Sequence, residues 1–175
     1  MTREEHDALL IRHGGHFKIS EFEIQGPIDR MNTMHLIHQL EFRKWHGFST
    51  LITSAWRKND PRYHGLGLAT DQILFHTWME TPLPAIHQFN LACLHGFRGV
   101  GVYLDWSFTD RSGNKQRTAG IHVDSGDRRN RPLRWFCREI EDEPYFYYMN
   151  PETGLFANKD LGEALTLHQA VEQYG

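Results

Sequence analysis

Only two of the 175 residues are cysteine, Cys93 and Cys137. That is too few for a disulfide framework, and both read as buried thiols. No apolar run approaches the ~20 residues of a membrane-spanning helix. Neither sign of charge dominates: 19 Lys+Arg against 22 Asp+Glu leaves a formal −3, which gives no electrostatic case for nucleic acid. The chain has no internal repeat, no low-complexity run and no linker-like stretch. Its first residues, Met-Thr-Arg-Glu-Glu-His-Asp, lack the basic start and apolar core of a secretory signal. The runs Gly-Leu-Gly-Leu at 65–68 and Gly-Val-Gly-Val at 99–102 lack the third glycine and the strand–turn–helix setting of a dinucleotide site. The remaining composition, 39% hydrophobic and 23% charged, is that of an ordinary globular domain, and the length suffices for one full core.

Histidine is plentiful, with 12 residues. A catalytic zinc takes three protein ligands of N or O type and leaves a fourth position for water, whose pKa it lowers to about 7. His64 sits in the loop-like Tyr-His-Gly-Leu-Gly, and Asp71 heads the strand-like run 71–75. A glycine-containing turn between them can bring both side chains to one point. His122 lies in the strand-like Gly-Ile-His-Val-Asp, so Asp124, two residues on, shares its face. Asp124 is open to three roles: orienting a histidine ligand through its free ring nitrogen, acting as base on the water, or pairing with Arg128, Arg129 or Arg131. For the base, Asp105 and an external group are further candidates, and Asp124 is the one chosen. Arg57 closes a β-branched run at the mouth of a loop, and its planar fork suits a substrate carboxylate. His35 and His38, three apart on a predicted helix, lack a carboxylate in register and read as a solvated face. A chance pair of histidines is not specific in so histidine-rich a chain; the wider context is.

The segment His64-Gly-Leu-Gly-Leu-Ala-Thr-Asp71 resembles the H-x-x-G-x-A-x-D signature of the M15 zinc peptidases, the D-alanyl-D-alanine carboxypeptidase and endopeptidase family. Upstream, Ile52-Thr-Ser-Ala-Trp-Arg57 is similar to that family's I-T-S-G-Y-R. Downstream, Gly99-Val-Gly-Val-Tyr103, Gly120-Ile-His-Val-Asp124 and Arg134-Trp135 resemble the G-x-G-x-Y, H-V-D and R-W landmarks of one M15 branch, and His16-Phe-Lys-Ile-Ser-Glu-Phe22 its F-x-x-x-E-F opening. The likeness covers roughly residues 16–136, in order. It implies zinc held by His64, Asp71 and His122, with Arg57 contacting substrate. Two departures stand out. The acid that members often carry three positions before the last histidine is Ala119 here. The serine often found two before the first histidine is Arg62, in a shortened link from Arg57.

The expected fold class is α+β: one M15-like domain over 1–175, a small, mostly antiparallel sheet with helices on one side. The core lies at about 16–136, and a C-terminal strand and helix extend over about 144–174. Residues 1–27 read as mostly irregular, with Phe17, Ile19 and Phe22 packing inward. A helix is predicted from 27 or 28 to 45, burying Met31, Met34, Ile37, Leu40 and Trp45 and stopping at Gly47. Strands are predicted at 48–54, 71–75, 99–104, 119–124, 133–140 and 145–149. Helices are predicted at 85–94, burying Ile86, Phe89 and Cys93, and at 161–174, burying Leu161, Ala164, Leu165, Leu167 and Val171. Polar or acidic turns fall at 110–116, 139–143 and 150–154. The expected function is zinc-dependent hydrolysis of peptide bonds in peptidoglycan. The alternative is a catalytically inactive M15-like wall-binding or structural protein, such as a phage particle component. No nucleic-acid or membrane partner is expected. With no signal sequence, the expected route to the wall is phage-type release or delivery on a virion.

Overall fold

The structure, a computed structural model, describes residues 1–76, 81–109, 113–127, 131–141 and 143–175, without the side chains of residues 108 and 109. The turns expected at 110–116 and 139–143 therefore lie partly outside the described residues, as do Arg128 and Arg129 as partners for Asp124.

Residues 13–27 are irregular as expected apart from a 3-10 turn at Ile19–Glu21, but the chain begins with a helix. Helix α1 spans Arg3–Arg12, opened by a capping box in which Thr2 and Glu5 satisfy each other's backbone N–H. It buries only His6, Leu9 and Leu10, so its apolar stripe is too thin to stand out in the sequence. Helix α2, Thr33–His46, starts later than expected, after a 3-10 turn at Ile28–Arg30. The Asn32 side chain caps it, accepting from the N–H groups of Met34 and His35. It ends as expected at Gly47, whose φ of 75° is left-handed. Its buried stripe is His35, Leu36, Gln39, Leu40 and Phe42. Met34 and Trp45 face outward instead, 70% and 52% exposed. The stripe was misread because two of its members are polar. Gln39 is half satisfied there: its amide nitrogen donates to the Thr70 hydroxyl, 2.5 Å away, while its oxygen is buried without a partner among the described residues. His35 is tolerated because it meets Ser125 Oγ at 2.9 Å. His35 is thus fully buried, not solvated.

The strands are β1 Ser49–Ser54, β2 Ala69–Phe75, β3 Gly99–Thr109, β4 Lys115–Asp124, β5 Leu133–Ile140, β6 Glu143–Met149, β7 Phe156–Asn158 and β8 Glu163–Leu165. They form one eight-stranded sheet in the order β1-β2-β4-β3-β5-β6-β7-β8, larger than the small sheet expected. Only the β3–β5 pairing is parallel among those described. Helix α3, Ala85–His95, lies between β2 and β3 and buries Ala85, Gln88, Phe89 and Ala92. Ile86 and Cys93 are only half-buried, while Cys137 is buried. The long helix expected at 161–174 is shorter. Residues 163–165 pair with β7 as a strand, and α4 spans Leu167–Tyr174 behind a Thr166/Gln169 capping box. No helix among the described residues is long and apolar enough to cross a membrane.

Strand alternation gives the sheet two unlike faces. On one, Val100, Val102, Ile121, Val123, Phe136 and Tyr147 pack against Phe42 of α2, α3 and Ala170 of α4. Each such buried apolar side chain contributes about 1.5–3 kcal/mol. A second cluster ties Leu10, Phe17, Phe22 and Ile28 to Leu36, Leu40 and Ile52, so Phe17 and Phe22 do pack inward. The other face carries one straight row across six strands: Ser54, Asp71, His122, Gly101, Trp135 and Tyr148 are successive cross-strand partners. At Gly101 a Cβ would lie 2.1 Å from the Trp135 ring, so glycine lets the indole lie against the sheet beside His122.

Candidate metal centre

Three of the residues singled out in the sequence meet on this row. β2 delivers Asp71 and β4 delivers His122, directly opposite each other. His64 comes from the β1–β2 loop, which is closed by its own backbone: Gly67 N–H donates to His64 O at 3.0 Å and Leu68 N–H to Tyr63 O at 2.8 Å. Gly67 takes φ +67°, and a Cβ there would strike Arg30 O at 2.2 Å, so the tight return that aims His64 inward requires glycine. His64, Asp71 and His122 each offer one ligating atom, and these atoms lie within 4.8 Å of one another.

The hydrogen bonds assign the ring nitrogens. His64 Nδ1 lies 2.6 Å from the Ala55 carbonyl, which only accepts, so Nδ1 carries the hydrogen and Nε2 offers a lone pair. Nε2 is 3.3 Å from Asp71 Oδ1. His122 Nε2 faces Asp124 Oδ2 at 3.4 Å, which leaves Nδ1 facing Asp71 Oδ1 at 2.8 Å. The His64 lone pair and the Asp71 oxygen thus converge with His122 Nδ1, a set that needs a cation or a proton between its members. Ligands at ~2.0–2.2 Å on a tetrahedron stand roughly 3.3–3.6 Å apart. The His64–Asp71 separation already fits, and the His122–Asp71 contact opens by several tenths of an ångström. The donor set therefore fits a metal of the kind that takes nitrogen and carboxylate ligands.

Electrostatics tell the same story without the ion. Burial opposes ionisation of Asp71, but the hydrogen bond from His122 and the nearness of His64 outweigh it and hold the carboxyl well below its usual range. Burial likewise disfavours a charged His122, yet the hydrogen bonds to Asp124 and Asp71 outweigh it and lift its pKa to about 9. A proton on His122 thus stands in for a cation.

Arg57 is in the same place. Its Nε donates to Ser54 Oγ at 2.7 Å, and its Nη2 donates to Asp71 Oδ2 and lies 3.3 Å from His64 Nε2. Arg57 lines a cleft of about 570 Å³ together with Asp60, Arg62, His64, Tyr103 and His122. Asp124 does not open on that cleft. It is fully buried, and its other oxygen accepts from Gly126 N–H at 3.1 Å. Asp105 is held by Arg117, with oxygens at 2.7 and 2.8 Å. Ala119 packs against the core cluster on the opposite face, so an acid at that position would point away from His122.

Four side chains at the site escaped the sequence reading as functional groups: Ser54, which anchors Arg57, Asp60, Tyr103 and Trp135. Burial first, then the Asp71 charge, hold the Tyr103 phenol well above its usual pKa, so it stays neutral. Trp135 lies 5.6 Å from the His122 ring, centre to centre. Alternation from Gly101 would have put Tyr103 on the His122 side, had the pairing of β3 with β4 been known. No family model matches this chain, and neither a curated protein nor a solved structure does.

Proposed function

We propose that this chain is a zinc-dependent metallopeptidase of M15 type that hydrolyses peptide bonds in peptidoglycan. The carrying observation is the convergence of His64 Nε2, Asp71 Oδ1 and His122 Nδ1, with the His64 tautomer set by the Ala55 carbonyl and Asp124 at the far nitrogen of His122. The ordered M15-like motifs support the family, because Asp71, Gly101, His122 and Trp135 from four of those motifs fall on one cross-strand row. Zinc held there would polarise the scissile carbonyl and lower the pKa of a water.

The chain's own residues have separable tasks. Asp124 holds His122 in the tautomer that leaves Nδ1 free. Ser54 and Arg57 brace Asp71 through Oδ2, leaving Oδ1 for the ion. Asp60 is the acid that lines the cleft, with Oδ2 3.8 Å from Arg57 Nη1, and is assigned to accept the proton of the attacking water. Arg62, exposed on the cleft wall, offers a cation to a substrate carboxylate.

The test measures metal content by mass spectrometry and hydrolysis of purified peptidoglycan on the same preparation. The expected result is one zinc per chain, with new peptide termini that disappear in His64→Ala and after chelation. Zinc without turnover would replace this reading with the inactive wall-binding or particle-associated alternative. Absence of metal at micromolar zinc would remove both.

A further inference from the structure

Arg57, read from the sequence as a substrate contact, would be one donor for the negative charge developing on a substrate carbonyl, but its guanidinium is already engaged by Asp71 and Ser54. A second donor faces the same cleft. Tyr103 stands two residues from Gly101, the cross-strand partner of His122, and so shares the face of the metal centre. Its own partner is Gly120, over which Ile73 and Trp106 close to within 3.5–3.7 Å of where a Cβ would stand. Its ring is clamped by two indoles, Trp106 at 4.0 Å and Trp135 at 5.1 Å with the planes 81° apart. Tyr103 lines the cleft with His64 and His122.

We propose that Tyr103 is a catalytic residue of this site, its phenol O–H donating a hydrogen bond to the substrate carbonyl oxygen as charge gathers there. The assignment rests on the metallopeptidase reading above. In that reaction a water oxygen bonds to the carbonyl carbon and the C=O π pair moves onto oxygen. One water proton passes to a cleft carboxylate and then to the leaving nitrogen. The C=O bond re-forms as the C–N bond breaks, and the second proton of the water is lost from the new carboxylic acid. Tyr103 keeps its proton throughout. A rigid neutral donor aimed at the developing oxyanion needs no reorganisation, and loss of one such donor typically costs about 10²–10³ in kcat.

Tyr103→Phe keeps the clamped ring and removes the hydroxyl. Its metal content, Tm and KM should match wild type while kcat falls ~10²-fold. A second readout is calorimetric affinity for a phosphinate isostere of the scissile peptide, whose tetrahedral anion mimics the oxyanion. Its affinity should drop at least ~10-fold in Tyr103→Phe, with that of the unaltered peptide unchanged. Wild-type kcat and wild-type phosphinate affinity in the variant would overturn the assignment alone. So would an equal loss for phosphinate and peptide, or a lower Tm with normal turnover per folded molecule. A wild-type protein that hydrolyses nothing would overturn the function proposed above and this role with it.

Discussion

His122 carries a carboxylate on each ring nitrogen, Asp71 at 2.8 Å on Nδ1 and Asp124 at 3.4 Å on Nε2. The two acids are chemically alike, and their positions divide their tasks. Asp71 sits among the ligating atoms, whereas Asp124 is sealed behind the ring. Asp124→Asn should therefore lower metal affinity by ~10–100-fold and leave turnover per bound metal near wild type. A base role would give the opposite result, metal retained and rate down by ~10²-fold or more. Asp60→Asn is expected to show that second pattern. Metal occupancy and rate measured on each variant separate the two, and an Asp60→Asn protein with wild-type turnover would return the base to the unassigned groups of the site.

The last two elements, β8 and α4, are fastened to the core face rather than to the metal face. Glu163 accepts from Arg138 Nη2 at 3.0 Å and from the Tyr147 hydroxyl at 2.5 Å, and the Arg138 guanidinium lies 3.7 Å over the Tyr174 ring. Apolar residues at 161, 164 and 165 fit a helix as well as a strand. Pairing of Leu165 with Phe156 settled it in favour of the strand, and the Thr166/Gln169 box then started the helix afresh. Glu163→Ala should cost about 1 kcal/mol, at the modest end for a charged hydrogen bond because Glu163 is partly solvated. It should speed amide exchange in 167–174 while metal affinity stays at the wild-type value. Unchanged exchange in α4 would mean that the clasp does not hold the helix.

Across the whole molecule, buried titratable groups should give the metal-free protein a bell-shaped stability profile. Burial pushes His35 down to about 3. The unfolded chain binds that proton below ~6.5 and the folded chain only below about 3, so the contribution is full above ~6.5 and is lost as pH falls, by about 1.4 kcal/mol per unit. Asp71, with its folded pKa depressed, acts in the same sense at the acid end. His122 acts oppositely. Its pKa is raised to about 9, so its contribution is full below ~6.5 and fades as pH rises towards 9. Metal needs the unprotonated Nδ1, so loading the site should lift the alkaline limb in particular. Tm measured from pH 4 to pH 9.5 with and without zinc checks both limbs, and a flat metal-free curve would contradict the burial of His35.

The sequence by itself determined what depends on near neighbours. Strand alternation put Asp124 on the His122 side, and the same rule, applied three residues back, already turns Ala119 away from it. Glycine at 47, 67 and 96 marked where the backbone turns left-handed. The resemblance of the motifs around His64, Asp71 and His122 to M15 landmarks, rather than their spacing, singled out the three. Only the tertiary structure decided what depends on partners distant in sequence. Strand register made one row of Ser54, Asp71, His122, Gly101, Trp135 and Tyr148, and so revealed Tyr103. Hydrogen bonds to Thr70 and Ser125 let two polar residues, Gln39 and His35, join the buried stripe of α2. Arg57 was legible as a cation at a loop mouth, but its engagement with Asp71 was not. A charge finds its counter-charge through space, and the strand pairings that bring the two together join residues far apart in the chain.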